Sequence, residues 1–172
     1  MFARRRSLRV ITGLALAFCA MAVTSTDATA QRPKNELAVG DMAPSLSGLN
    51  FVQGEFSGFE HGKTYIVEFW ATWCAPCRAE IPEFEEVHQE VGDEVRFVGV
   101  NVGEDISRAA AFLDEVGATY DQFLDDDGDV VIALETSAMP VTLVIDADER
   151  ITLRHLGPLS ADDLRVAIAE AT

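Results

Sequence analysis

Basic residues are scarce in this 172-residue chain. It has 13 lysine and arginine residues against 29 aspartate and glutamate residues, so its formal net charge is −16. This excess argues against nucleic acid or an anionic membrane surface as the main partner, because both repel an acidic protein. Lysine occurs only at Lys34 and Lys63. Such a composition would also suit a high-salt habitat, where screening weakens self-repulsion.

Residues that bind metals are equally few. The three cysteines lie at positions 19, 74 and 77, and the three histidines at positions 61, 88 and 155. A structural zinc site needs four such ligands close together, and the histidines are too scattered to complete one. The acidic run around residue 127 lacks EF-hand spacing, because Phe123 and Leu134 occupy its first and twelfth positions. We therefore predict no metal site.

A long apolar run occurs only near the N-terminus. Val10–Val23 spans 14 residues, fewer than the roughly 20 that a membrane-spanning helix needs. Arginines precede this run and Ala28-Thr29-Ala30 follows it, an order that predicts a secretory signal peptide over residues 1–30. The alternatives are an uncleaved membrane anchor and lipid attachment at Cys19. We expect an exported protein, in the periplasm or another extracytoplasmic compartment.

Cleavage after Ala30 separates two unlike parts of the chain. Residues 1–30 contain four arginines and one aspartate. Without this segment the chain has 9 basic and 28 acidic residues, and its net charge is −19. Cys19 is removed as well, which leaves Cys74 and Cys77. In an oxidising compartment these two cysteines cannot be assumed to stay reduced.

The rest of the chain alternates between two periodicities. Residues 31–45 are polar and predict a lead-in segment, followed by a domain over residues 46–172. Loose alternation over 46–56 predicts a short N-terminal hairpin. Further strands are predicted at 64–71, 95–102, 120–124, 141–146 and 151–156, and helices at 75–91, 107–116, 130–137 and from 161 to the C-terminus. Ser107 and Ser160 are the predicted caps of the second and last helices, and Gly117 ends the second. Strands alternating with helices predict an α/β sandwich.

The sequence Cys74-Ala75-Pro76-Cys77 stands where a buried strand ends and an amphipathic helix begins. Unpaired N–H groups and the macrodipole at a helix N-terminus stabilise a thiolate, which lowers the pKa of the cysteine there. This spacing lets the two sulfurs bond, so Cys77 can resolve a mixed disulfide made by Cys74. A purely structural bridge would close too short a loop to stabilise much. We therefore favour redox chemistry.

The segment Phe69–Pro82 closely resembles the active-site segment of thioredoxin-like proteins, and most of all the TlpA/ResA group of exported thiol-disulfide oxidoreductases. The likeness continues in Gly40–Pro44 and Met139–Thr142 and covers roughly residues 37–170. It implies a thioredoxin-like three-layer sandwich, with a central mixed β-sheet flanked by helices. It also implies protein thiol or disulfide substrates, an upstream membrane or extracytoplasmic electron donor, and no cofactor beyond a redox-active disulfide.

The resemblance gives roles to single residues. Cys74 would be the exposed nucleophile and Cys77 the buried resolving thiol. Pro140 matches a proline that is cis in this fold and stands opposite the two cysteines, where the backbone of Met139 could pair with a substrate peptide. Trp73 would shield one side of the disulfide. The residues expected to contact substrate are Trp73, Ala75, Pro76, Met139 and Pro140.

Two glutamates are candidates for proton transfer. Glu68 lies in an apolar run, six residues before Cys74, where thioredoxin has a buried aspartate and the TlpA/ResA group often has a neutral residue. A buried carboxyl there would have a raised pKa and could relay the proton of Cys77; the alternative is that Glu68 points to a wet edge. Glu80 shares the helix face of Cys77. It matches an acidic position that modulates the cysteine pair in ResA-like proteins, or else it is one more surface glutamate.

We therefore predict a thiol-disulfide oxidoreductase that reduces protein disulfides, with a role in cytochrome c maturation implied by the resemblance. One alternative is a peroxiredoxin-like peroxide reductase. Its Pro-x-x-x-Thr-x-x-Cys motif is missing here, since Val67 and Ala71 occupy the proline and threonine positions. The other alternative is a non-enzymatic thioredoxin-fold module for binding or metal delivery.

Overall fold

A computed structural model of the chain describes residues 37–172. The predicted signal peptide over 1–30, with Cys19, lies outside the described residues. The strands are β1 (Asn50–Gln53), β2 (Thr64–Trp70), β3 (Val95–Val102), β4 (Asp121–Asp125), β5 (Val141–Ile145) and β6 (Ile151–Leu156). The helices are α1 (Ala75–Val91), α2 (Ile106–Val116), α3 (Asp129–Ala133) and α4 (Ala161–Ala171). Between residues 37 and 172, no helix combines the length and the apolar character needed to cross a bilayer.

The six strands form one mixed sheet in the order β1-β4-β3-β2-β5-β6. β2, β3 and β4 run parallel, whereas β5 is antiparallel to both β2 and β6, and β1 is antiparallel to β4. β2 is buried along its whole length, as its near-continuous apolar sequence predicts. The predicted thioredoxin-like sandwich is confirmed.

The two faces of the sheet carry separate cores, because side chains alternate along each strand. On one face, Ile66 and Trp70 of β2 pack with residues from α1, α2 and α4. On the other, Val67 and Phe69 pack with α3 and with the segment before β2. This arrangement follows from right-handed crossovers, since β2-α1-β3 and β3-α2-β4 step across the sheet in the same direction.

The predicted N-terminal hairpin is wrong. Within residues 46–56 a single strand, β1, pairs with β4 rather than with a second strand of its own. The chain turns away at Gly54, where φ is +98°, and the N–H of Glu55 donates to the Asp121 carboxylate at 2.6 Å. The apolar partner of β1 comes from much later in the sequence, since the ring of Phe51 meets that of Phe123 edge-on at 5.1 Å.

Helix capping is predicted correctly at two of three positions. Gly117 ends α2 in the left-handed conformation, and the Ser160 hydroxyl caps α4. Ser107 is not the cap of α2, because the helix begins at Ile106 and the Asp105 carboxylate accepts the N–H of Ser107 at 2.8 Å. A carboxylate at this position also interacts favourably with the helix dipole.

Residues 38–43 are held against the turn between β5 and β6. Gly40 donates its N–H to the carbonyl of Ile151 at 2.8 Å, and Ile151 donates to the carbonyl of Asp41 at 2.9 Å. Met42 and Arg150 form an isolated antiparallel bridge. This turn lies at the end of the sheet where β2 begins. The end of β2 and the start of α1 lie at the opposite end of the sheet.

Candidate active site

The two cysteines lie at the carboxyl end of β2, the central strand. Cys74 is the N-cap of α1, and its sulfur accepts the N–H of Cys77 at 3.2 Å. A disulfide joins Cys74 to Cys77, whose Cα atoms are 5.3 Å apart. Pro76 lies in the first turn of the helix, where its missing N–H leaves no hydrogen bond unmade. The Cys74 sulfur therefore sits where a backbone donor and the positive end of the helix dipole favour a thiolate.

Exposure distinguishes the two sulfur-bearing residues. Cys74 has 4% of its surface exposed and Cys77 has none, so only Cys74 is open to attack from solvent. Cys74 is buried and therefore less exposed than the resemblance implies. The surrounding surface is formed by Trp73, with 65% exposed, and by the exposed residues Ala75 and Pro76.

Met139 and Pro140 lie at the same end of the sheet as the disulfide. Their peptide bond is cis, and Val141, the next residue, pairs with Phe69 near the end of β2. The carbonyl of Pro140 accepts the N–H of Gly157 at 2.9 Å, so Pro140 is anchored to the residues that follow β6. The register of β5 therefore brings Met139 and Pro140, both predicted to contact substrate, to the end of the sheet that carries Cys74.

The loop between β2 and α1 is held by a carboxylate that sequence reasoning missed. Glu104 accepts the N–H of Thr72 at 2.6 Å and also the Thr72 hydroxyl, and it accepts the side-chain amide of Asn101 at 2.8 Å. Burial alone would raise the pKa of Glu104, but these hydrogen bonds, aided by Arg108, outweigh it and hold the pKa below its ordinary value. The available signal was the position of Glu104 just after β3, beside the end of β2.

We expect Glu104→Ala to loosen this loop and to destabilise the protein by about 2 kcal/mol, because three partly buried donors lose a charged acceptor. Urea denaturation of the oxidised protein measures the loss. Glu94→Ala, which removes an exposed glutamate from a 3₁₀ turn, is the matched control. Equal stability of the two variants would contradict the role given to Glu104.

Glu68 is buried inside the sheet face that packs against α1. Only 1% of its surface is exposed, so the alternative that it reaches a wet edge is wrong. Its Oε2 accepts the hydroxyl of Tyr120 at 2.9 Å, whereas Oε1 has no hydrogen-bond partner among residues 37–172. Burial raises the pKa of Glu68 well above its ordinary value, repulsion from Glu80 adds to this, and the Tyr120 hydrogen bond opposes it.

Glu80 is also buried, one turn of α1 beyond Cys77. With 3% of its surface exposed, it is not another surface glutamate. Its Oε1 accepts the N–H of Leu159 at 2.6 Å, and in the described structure Oε2 has no partner. Burial raises the pKa of Glu80 to about 7 against the opposing Leu159 hydrogen bond, and the charge of Glu83 adds to the rise. Two carboxyls that repel each other thus share the interior behind the disulfide.

A row of polar residues crosses the sheet beneath α1. Glu68 lies in register between Gly99 of β3 and Thr142 of β5, and Gln122 of β4 lies beyond Gly99. The Gln122 side chain accepts the indole N–H of Trp70 at 3.0 Å. It also occupies the space above Gly99, where a Cβ atom would approach Gln122 Oε1 to 2.1 Å. Sequence reasoning missed this row of polar residues. The feature of the sequence that indicates it is Gly99, a glycine inside a buried strand.

A groove of about 390 Å³ opens beside the disulfide, between the start of α1 and the start of α4. Pro76 and Ala79 line one side, and Pro158 and Leu159 line the other. Glu80 also lines the groove, so its carboxyl lies between the groove and the interior. Among residues 37–172 no cluster of three or more histidine, cysteine or acidic side chains has metal-binding geometry.

Comparison with known proteins identifies the family. A family model described as Redoxin matches residues 38–172. The chain belongs to the redoxin family. This redoxin is 30% identical to the thiol-disulfide oxidoreductase ResA of Bacillus subtilis over 152 residues, which cover 86% of this chain and 84% of ResA. It is 36% identical to the thiol:disulfide interchange protein DsbE of Escherichia coli over 100 residues, which cover 58% of this chain and 52% of DsbE.

A solved structure supports the same assignment. The redoxin superposes on a thiol:disulfide interchange protein of the thioredoxin family from Chlorobium tepidum with a TM-score of 0.65 and 30% identity, over 76% of this chain and 94% of that one. Together with the disulfide at the start of α1, these relatives show a thiol-disulfide oxidoreductase of the ResA/DsbE type.

Proposed function

We propose that this redoxin is exported and reduces disulfide bonds in partner proteins outside the cytoplasm, with c-type cytochrome maturation as its pathway. The observation that carries the proposal is the placement of the disulfide. One sulfur caps a helix beside an exposed tryptophan, and the other belongs to a fully buried residue, one helical turn before the buried Glu80. Export is supported by the basic and apolar sequence of residues 1–30.

The proposed reaction begins with both cysteines reduced. The Cys74 thiolate attacks one sulfur of a substrate disulfide, the substrate S–S bond breaks, and the other substrate sulfur leaves as a thiolate that takes up a proton. Cys77 then gives its proton to the ionised carboxylate of the Glu68 and Glu80 pair. Its thiolate attacks the Cys74 sulfur of the mixed disulfide and releases the second substrate thiolate. The substrate gains two electrons, and the Cys74–Cys77 disulfide forms.

Substrate binding is proposed at the surface around the disulfide. The exposed indole of Trp73 offers an apolar contact, and the backbone at Met139 precedes β5 at the end of the sheet that carries the disulfide, where an extended peptide can pair with it. The groove beside Pro76 offers room for a side chain of that peptide. Because the chain lacking residues 1–30 carries a net charge of −19, a substrate with a basic surface would associate fastest.

A redox titration against glutathione, with alkylation of free thiols, tests the direction of the reaction. A reductant should have a potential below about −200 mV, on the side of thioredoxin rather than of strongly oxidising DsbA near −120 mV. The reduced protein should also reduce an oxidised Cys-x-x-Cys-His peptide, the haem-attachment sequence of c-type cytochromes, at least about tenfold faster than a scrambled disulfide peptide. A potential near −120 mV would contradict the proposal, as would rapid consumption of hydrogen peroxide without peptide reduction.

A further inference from the structure

We propose that Tyr120 is a positioning residue for the resolving step: its hydroxyl orients the buried carboxyl of Glu68 and sets the proton affinity of that carboxyl, and thereby how readily Cys77 gives up its proton. The inference rests on the proposed function, in which the carboxyl pair takes the proton of Cys77. It goes further by assigning the control of this acceptor to a residue outside the cysteine motif.

The contact is direct and buried. The Tyr120 hydroxyl donates to Glu68 Oε2 at 2.9 Å, and both residues are buried. The ring of Tyr120 is held in place by two neighbours, with ring centroids 5.7 Å from His88 and 5.9 Å from Phe97. A tyrosine fixed in this way presents its hydroxyl to the carboxyl in one orientation.

The Tyr120 hydroxyl is the one donor, among residues 37–172, that reaches the Glu68 carboxyl. Glu68 Oε1 has no partner among residues 37–172, so the Tyr120 hydroxyl is the one hydrogen bond that the structure gives this carboxyl. In a buried site, a donor stabilises the carboxylate over the neutral acid, because a hydrogen bond to a charged acceptor is the stronger one. Tyr120 therefore opposes the rise that burial causes in the pKa of Glu68.

The titratable groups facing this pair come from α1. Cys77 packs in the same core as Tyr120, and Glu80 repels the Glu68 carboxylate. Glu85 acts on Tyr120 through its charge, and the His88 ring lies against it. The other strands contribute uncharged residues to the row, namely Gly99, Gln122 and Thr142, and α2 and α4 contribute apolar residues such as Phe112 and Leu164.

Removing the hydroxyl should therefore make Glu68 harder to ionise. In Tyr120→Phe, the resolving step should need a higher pH, and its rate at pH 7 should fall about tenfold, as expected when one hydrogen bond to a buried carboxylate is lost. Reduced protein is mixed with oxidised glutathione as the probe, and decay of the mixed disulfide is followed by acid quench and mass spectrometry from pH 5 to pH 9.

The chain offers a matched control, because it has only two tyrosines. The Tyr65 hydroxyl accepts the N–H of Glu60 at 2.9 Å on the opposite face of the sheet. Tyr65→Phe should leave the pH profile of the resolving step unchanged. In a Glu68→Gln background, Tyr120→Phe should cause no further shift, since the group through which Tyr120 acts is gone.

Fluorotyrosine provides a second measurement that does not depend on the folding of Tyr120→Phe. In the Tyr65→Phe protein, incorporation of 3-fluorotyrosine changes Tyr120 alone into a stronger donor, and the profile should move to lower pH. The inference is overturned if Tyr120→Phe and the fluorinated protein both keep the wild-type profile while Glu68→Gln changes it. If Glu68→Gln itself keeps that profile, the proposed relay through Glu68 has failed instead.

Discussion

Cys77→Ser is expected to stop turnover and to leave Cys74 joined to its substrate in a stable mixed disulfide. Cys77 is fully buried and bonded to Cys74, and the one remaining cysteine of the chain, Cys19, lies in the predicted signal peptide. An intramolecular thiol so close to its target acts at a very high effective concentration. Its loss should slow release of the second substrate thiol by at least about a thousandfold. Non-reducing gels and mass spectrometry of the adduct measure this trapping.

Cys74→Ser is the matched control for that experiment, because it removes the other sulfur of the same pair. The remaining Cys77 is buried and should form no adduct with a protein substrate. The assignment of roles would be reversed if Cys74→Ser trapped substrate and Cys77→Ser did not. The redox role itself would fail if neither variant trapped anything while both were folded.

The oxidised protein is expected to lose stability as the pH rises from 5 to 8. The pKa of Glu80 is raised from the ordinary 4.5 to about 7 in the folded state. A group with a raised folded-state pKa contributes stability that is fully present below pH 4.5 and is lost as the pH rises through 7. The change corresponds to roughly 3 kcal/mol for Glu80. Glu68 acts with the same sign, because its pKa is raised as well.

Urea denaturation at several pH values measures this dependence. The disulfide must stay closed, since the bonded cysteines then do not titrate. Glu80→Gln keeps an oxygen that can accept the Leu159 N–H but cannot ionise, so it should be more stable than the wild type at pH 8. Glu94→Gln, an exposed change, should follow the wild type. The same pH dependence in Glu80→Gln and in the wild type would show that Glu80 is not the group responsible.

Local sequence patterns predicted most of the fold. The bounds of α1, β3 and β6 agree to the residue, because each has an unambiguous period and clear end signals. The prediction of an N-terminal hairpin is wrong for a reason that a local sequence pattern cannot show. A short alternating stretch fits any edge strand, and the partner of β1 is β4, which lies far along the chain.

The residues of the candidate site also fall into those that local sequence patterns predicted and those that they did not. The spacing of Cys74 and Cys77 predicted the disulfide, and a charged residue in an apolar run marked Glu68 as a buried acid. The groups that control such an acid come from distant segments. Tyr120 is 52 positions from Glu68, and Glu104 is 32 positions from Thr72. Sequence reasoning could name the acid but not the donor that meets it, because that pairing is decided by the sheet topology.

The bridge between Met42 and Arg150 has a consequence for the order of folding. Arg150 also donates to the carbonyl of Gly40, across 110 positions of sequence, and the central strand β2 depends on β5 for one of its two neighbours. Contacts between such distant residues form slowly, because closing a long loop costs entropy before any contact is gained. The sheet cannot close around β2 until the chain is available to about residue 150. A chain that completes its central sheet so late stays unfolded longer during synthesis, which is the state that the proposed export through a membrane pore requires.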